Sequence, residues 1–338
     1  MNSTTKKSSL DLKGFVKKQY YYLILVMALL AICLIMSFVN SNFMTLTNVI
    51  SMLEQMAEYA LMALGIMLCI TAGGIDLSTM GVANLVAALA ALTMLRFLPD
   101  DISTGKLVIG TLLIFVGSIV LGLLCGLLNG TLITKLGIPP MLATMSSNYV
   151  YTGICMVLTK GASLSGINQA FVSFVNFKVF DVIPLSAIVF VICAIVFGYL
   201  MNKAPYGTRL CMVGTNPKAT RMAGLKNDKI IIRTYMTCAT MSALAGFIML
   251  GRLSSARADY GKSYSTQAIL IVILGGTDPV GGRAKVLGAV IASFIIQAVT
   301  TAIAMTPGAN SYIKNVVFAV LLLGIMIYDW TRVNKKKR

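Results

Sequence analysis

The chain has 338 residues, 57% hydrophobic and 12% charged, and its 28 Lys and Arg against 11 Asp and Glu give a net charge of +17. That balance excludes a soluble globular domain or a disordered chain of this length and defines an integral membrane protein. There is no histidine, and the seven cysteines, at 33, 69, 125, 155, 193, 211 and 238, show no C-x-x-C spacing. Buried packing is therefore their expected role, and no metal site is expected.

A basic arm, residues 1–19, precedes the first apolar stretch, Tyr20 to Phe38. Met36-Ser37-Phe38 offers no small-residue cleavage site, so this stretch is expected to stay as a span. Uncharged stretches follow from Tyr59 to Ile75, Leu77 to Leu95, Leu107 to Thr134, Leu136 to Thr159 and Val182 to Asn202. Beyond a polar loop, residues 202–229, come Thr234 to Gly251, a short Ser263 to Thr277, Val286 to about Thr306, and Asn310 to Tyr328 with Lys314 inside it. Most approach the roughly 20 residues needed to cross the hydrocarbon core. The expectation is an all-α membrane protein of about ten transmembrane helices in one domain, residues 20–330, with a basic tail at 331–338.

Near the outer end of the second span, just before Tyr59, Glu54 and Glu58 lie four apart on one helical face. Carboxylates at membrane depth are costly and usually face the bundle interior. Glu58 is thus a candidate for a polar solute pathway, with Asn129, Asn148, Tyr151, Gln267 and Gln297 as further donors and acceptors; a helix-to-helix hydrogen bond is the alternative role for each. Gly122, Gly126 and Gly130 repeat every four residues and mark a face where another helix comes close.

Two turns echo each other. Gly73-Gly74-Ile75-Asp76 and Gly275-Gly276-Thr277-Asp278 each sit between apolar runs on the same expected side, consistent with duplicated halves. Gly-Gly permits helix ends to approach closely, and Asp76 or Asp278 can cap a following helix. Gly73, Gly74, Asp76, Gly275, Gly276 and Asp278 are therefore hinge candidates, with a tight interhelical connection as the plainer role. No G-x-x-x-x-G-K-[ST] run exists, so the chain is expected to bind no ATP itself.

The polar loop carries six basic residues and one acid. Inside it, Asn216-Pro217-Lys218-Ala219-Thr220-Arg221-Met222-Ala223-Gly224 reads as a helix of about two turns, with Asn216 as N-cap, Pro217 at the first helical position and Gly224 at the left-handed exit. A helix so short is marginal alone and is expected to dock into a partner. With a cytoplasmic N-terminus and ten crossings, 20 of the 28 basic residues fall inside, as the positive-inside rule requires. Both termini and the loop helix are then cytoplasmic, and the positive charge reflects topology rather than nucleic-acid binding.

Three ordered motifs carry a family resemblance. Ala72-Gly73-Gly74-Ile75-Asp76-Leu77-Ser78, then Tyr206-Gly207-Thr208-Arg209 leading to Gly214-Thr215-Asn216-Pro217 and Ala223-Gly224, then Leu274-Gly275-Gly276-Thr277 with Gly281-Gly282-Arg283 and Gly288, resemble the membrane permease of bacterial ABC importers of the ribose, xylose and galactose type. The similarity runs over roughly residues 46–329. It implies a non-enzymatic subunit of the bacterial cell membrane that works as a pair with a second permease copy. Two cytoplasmic ATPases, which hold the ATP and Mg, and an extracytoplasmic solute-binding protein complete the assembly. Residues 216–225 resemble that family's coupling helix, which sits in a groove on the ATPase. Lys218 stands where an acid is frequent, Thr220 where a small apolar residue is common, Gly81 falls one place late, and Asp278-Pro279 replaces small polar residues. An unusually acidic ATPase groove is therefore expected. The implied mechanism is alternating access for a pentose or hexose, with nucleosides or a sugar-like signalling molecule as alternatives. An ion-coupled transporter and an intramembrane enzyme are disfavoured, because the acids lie near span ends and no nucleophile and base pair is evident.

Overall fold

The computed structural model describes residues 5–306 and 313–335. Residues 1–4 of the arm, the 310–312 start of the last expected span and 336–338 of the tail lie outside the described residues. The helices are α1 (Thr5–Val39), α2 (Leu46–Thr71), α3 (Thr79–Phe97), α4 (Thr104–Lys135), α5 (Pro140–Thr159), α6 (Gln169–Val175) and α7 (Leu185–Asn202). They continue as α8 (Pro205–Thr215), α9 (Pro217–Met222), α10 (Asn227–Leu253), α11 (Tyr264–Leu274), α12 (Val286–Met305) and α13 (Ile313–Lys335). Each of the ten expected spans coincides with one of these, and α6, α8 and α9 are short additions between them. Among the described residues, seven helices are long and apolar enough to cross a membrane: α1, α2, α3, α4, α7, α10 and α12. To these α5 adds 20 residues with several polar side chains, and α11 and the first half of α13 add shorter apolar helices.

Helix boundaries differ from the uncharged stretches at α1, α2 and α10, whose helices run on through charged residues. Helix α2 starts at Leu46 instead of Tyr59, because Glu54 pairs with Lys178 at 3.4 Å and Glu58 with Arg252, so neither ends the helix. Helix α10 starts at Asn227, seven residues before its apolar stretch, and α1 extends back through residues 5–19 of the arm. Two small antiparallel pairs complete the chain: β1 (Leu164–Ser165) with β4 (Ser255–Ala256), and β2 (Lys178–Val179) with β3 (Ile183–Pro184).

Helix α2 is the centre of the bundle, with 83% of its most apolar window buried against 6% for α1 and 17% for α4. In lipid the hydrophobic effect does not drive helices together, so close packing over small residues must. The four-residue glycine repeat of α4 does this against α10. A Cβ on Gly122 would lie 2.7 Å from Ala243 Cβ, one on Gly126 2.4 Å from Tyr235 O, and one on Gly130 2.8 Å from Ile232 Cα. The descending partners show that the two helices run antiparallel. Gly65 brings α2 onto Cys238 of α10, and Gly246 of α10 meets the Ala83 backbone of α3.

Gly126→Ala should therefore force α4 from α10, and overpacking of this kind costs about 1–3 kcal/mol. Gly117 on α4 has nothing within 4 Å, so Gly117→Ala should be neutral or stabilising. Thermal unfolding of the two variants in detergent should move the midpoint down for the first alone.

Candidate functional site

The short helix α9 forms as its sequence requires. Asn216 Oδ1 accepts from the Ala219 N–H at 3.0 Å, Pro217 occupies the first turn, and Gly224 has φ +81°. The exit is a Schellman turn, with Gly224 N–H donating to Arg221 O and Leu225 N–H to Thr220 O at 3.1 and 3.0 Å. With six residues α9 is shorter than two turns. Asn227 at the start of α10 donates to Pro217 O at 2.8 Å and ties it down. Thr220 is buried beneath, while Lys218, Ala219, Arg221, Ala223 and Gly224 are exposed and Met222 is 90% exposed. Arg221 pairs with Asp228 at 3.4 Å. An open groove bounded by Met201, Cys211, Met212 and Thr215 runs beside it. Helix α8, which leads into α9, was not expected; its one sequence signal is Pro205 at a first helical position after Ala204.

The two glycine turns close on the same region. At the end of α2, Ala72, Gly73 and Gly74 N–H donate to Leu68, Ile70 and Cys69 O; at the end of α11, Gly275, Gly276 and Thr277 N–H donate to Ile271, Ile273 and Val272 O. These are the same helix ending, with Gly73 at φ +87° and Gly276 at φ +84°. The structural equivalence thus pairs Gly73 with Gly276, one place off the Gly-Gly-x-Asp alignment read from sequence. Asp76 and Asp278 are accordingly not counterparts. Asp76 is fully buried, and its Oδ1 accepts from Ser78 N–H at 2.9 Å and Ser78 Oγ–H at 2.6 Å. Asp278 is half-buried and closes an Asx turn onto Val280 N–H at 3.0 Å; it caps no helix, because α12 begins only at Val286.

This type of ending satisfies three of the last four carbonyls and leaves one orphan. For α2 the orphan is Thr71 O, which accepts Gly282 N–H at 2.9 Å. For α11 it is Leu274 O, which accepts the Tyr21 hydroxyl at 2.6 Å. Gly214, just before α9, completes the contact: a Cβ there would lie 1.8 Å from Thr71 O and 2.7 Å from Gly282 N. A Cβ on Gly281 would lie 3.1 Å from both Gly73 Cα and Gly214 O. The three motifs thus meet backbone to backbone directly beneath the exposed helix.

The six pathway candidates divide into two groups, and all but Gln267 have a partner on another helix or segment. Asn129 of α4 donates to Ser78 Oγ at 2.8 Å, Asn148 of α5 accepts from Gly81 N–H at 3.0 Å, and Tyr151 donates to Cys125 O at 3.2 Å. Asn148 supplies the missing acceptor for the first turn of α3 and leaves no room for a Cβ at residue 81, which accounts for the glycine there. Toward the opposite end, Glu58 takes a bidentate pair from Arg252, Nε to Oε1 at 2.5 Å and Nη2 to Oε2 at 3.0 Å. Tyr59 donates to Gln297, which reaches Thr301 at 3.0 Å, while Gln267 Nε2 contacts Ser263 at 3.3 Å. Asn84 was not singled out by sequence, yet its amide donates to Ala258 O and Tyr260 O at 2.9 and 3.0 Å and anchors the 254–263 segment. A lone Asn in an apolar run was the available signal.

A bundle of membrane helices packed on small residues, with a capped helix exposed on its basic side, defines a multi-pass permease. The family model described as a branched-chain amino acid transport system permease component matches residues 48–326. The chain is 32% identical over 309 residues to the ribose import permease protein RbsC of Bacillus subtilis, covering 90% of this chain and 91% of that protein. It is 31% identical to the fructose import permease protein FruF of Bifidobacterium longum (87% and 81% covered) and 24% identical to the autoinducer 2 import system permease protein LsrD of Yersinia pseudotuberculosis (82% and 85%). No solved structure matches the chain at significance. The chain belongs to this family of transport-system permeases.

The Glu58–Arg252 pair is expected to matter more when broken than when removed whole. Loss of one partner of a buried pair costs about 3–5 kcal/mol, because the other is left uncompensated. Glu58→Leu alone should lower the unfolding midpoint sharply, and adding Arg252→Met should restore much of it. Equal losses from the single and double variants would contradict the pairing.

Proposed function

We propose that the chain is the translocation subunit of an ATP-driven importer for a monosaccharide, working by alternating access. Exposed α9, seated on the contact of Gly214 with Thr71 and Gly282, carries this reading. A force applied by a cytoplasmic ATPase to α9 reaches the ends of α2 and α11 through backbone, with no flexible side chain between. For linkage, the two ATPase states must engage α9 differently. The similarity to ribose and fructose import permeases at 32% and 31% identity supports a sugar as solute. A sugar-like signalling molecule is the second reading, favoured by the autoinducer 2 relative at 24%.

The rest of the assembly follows. ATP and Mg reside on the ATPase, an extracytoplasmic binding protein delivers the solute, and two permease copies form the pore. Five of the six polar pathway candidates are engaged between helices of one chain, which favours a solute route between copies; Gln267, bonded only to Ser263 at the start of its own helix, is the one left open to a solute within the chain. Both termini face the cytoplasm with α9, in keeping with the basic bias of that side.

Uptake of labelled ribose by intact cells tests this. Lys218→Glu should reduce ATP-dependent uptake about tenfold, the equivalent of ~1.4 kcal/mol of docking energy, without altering the amount of protein in the membrane. Asn216→Ala should act in the same direction by removing a cap worth about 1 kcal/mol. Undiminished uptake in both, or uptake that survives ATP depletion, would overturn the docking role. Gly214→Ala should abolish uptake, because Thr71 O occupies the space of the added methyl.

A further inference from the structure

Beneath the α2 ending, the fold assembles a side-chain cluster that transport does not use. Cys69 of α2, Asp76 of the 72–78 break and Cys238 of α10 are all buried, and their sulfur and carboxylate ligand atoms lie within 4.8 Å of one another. The cysteines are 169 residues apart, so no spacing could reveal them. Gly65 makes the meeting possible: a Cβ there would lie 3.1 Å from Cys238 Sγ.

Two buried oxygens point to a missing ligand. Asp76 Oδ1 takes both bonds from Ser78, and Oδ2 has no N–H or O–H donor, the Cys238 thiol being a neighbour of the carboxylate. The Tyr235 hydroxyl, one helical turn before Cys238 and 1% exposed, is also unpartnered and lies against the backbone at Gly74. An unsatisfied buried polar atom costs about 1–3 kcal/mol, and a cation held between the two thiols would satisfy the carboxylate oxygen directly. Two thiolates and a carboxylate suit a d10 cation of the zinc class, with soft sulfur setting the selectivity. Zn–S bonds of about 2.3 Å put ligand atoms about 3.5–3.8 Å apart in a tetrahedron, so the observed cluster needs to contract by only about an ångström. Exposed Gly73 lies between Cys69 and Asp76 in the chain and places the cluster just under the surface.

We propose that Cys69, Asp76 and Cys238 bind a thiophilic divalent cation, with Tyr235 or a water in the fourth position. Binding exchanges two thiol protons for the cation and leaves the sulfurs as thiolates. The bound cation bridges α2, the 72–78 break and α10 at the one place where the glycine contacts below must shift, and so stiffens the hinge.

Cadmium titration of the purified full-length chain tests this by its thiolate-to-metal charge-transfer absorbance. Cys33, Cys193 and Cys211, the half-buried thiols, are first replaced by Ser to remove competing sites. The expected result is one cation per chain and a raised unfolding midpoint. Cys69→Ser and Cys238→Ser should each weaken binding by at least about tenfold and halve the absorbance, and Asp76→Asn should weaken it while keeping the absorbance. Cys125→Ser and Cys155→Ser should change neither. If Cys69→Ser unfolds, Cys69→Ala with the midpoint readout replaces it. No absorbance in the parent chain, or absorbance unchanged by loss of Cys69 and Cys238, overturns the proposal.

Discussion

The bond from Gly282 N–H to Thr71 O is the constraint around which the α9 end of the molecule is arranged. A helix that ends on a left-handed glycine satisfies three of its last carbonyls and orphans the fourth. In α2 that fourth carbonyl can turn neither to lipid nor to its own helix, and a distant segment must supply the donor. The donor comes from the turn after α11, and Gly214 packs so tightly over the same oxygen that only a hydrogen fits. Three segments that share no sequence neighbourhood are thereby held by main chain alone. Side chains can change rotamer to absorb a displacement, whereas main chain packed on main chain passes it on.

The same chemistry explains why the α11 ending recruits a different donor. Its orphan, Leu274 O, is satisfied by a tyrosine hydroxyl from α1, and Lys285 sits 4.0 Å over that ring. One duplicated helix ending thus serves two purposes, a backbone contact to Gly282 and the segment that leads into α9, and a side-chain contact to the peripheral first helix. The echo in sequence marks a shared local solution to helix termination, and its true register is shifted by one residue from the Asp-based reading.

Local signals were legible from the residues alone. Asn216, Pro217 and Gly224 encode α9 within nine positions, and Gly122, Gly126 and Gly130 state their packing through a four-residue period. What escaped was set by tertiary pairing. The start of α2 at Leu46 was hidden because Glu54 and Glu58 interrupt the uncharged run, and the residues that neutralise them, Lys178 and Arg252, lie more than a hundred residues away. Asn148 read as a solute contact because its capping of Gly81 depends on how α5 crosses α3. Cys69 and Cys238 carried no spacing signal, since only the close approach at Gly65 makes them neighbours.

Helices α2 and α10 carry both ends of this arrangement. At one end lie Thr71 and Cys69 beside Cys238; thirteen residues back along α2 from Thr71, roughly 20 Å by the rise of a helix, lies Glu58, clamped to Arg252 near the end of α10. Between them Gly65 keeps the two helices in direct contact, so they have little freedom to slide apart. A pair fixed at both ends moves as a body. Its contacts with α4 and α3 are also built on glycine, at Gly126 and Gly246. With both oxygens engaged by Arg252, the Glu58 carboxylate ties α2 to α10 directly, a charge-assisted clamp of fixed geometry.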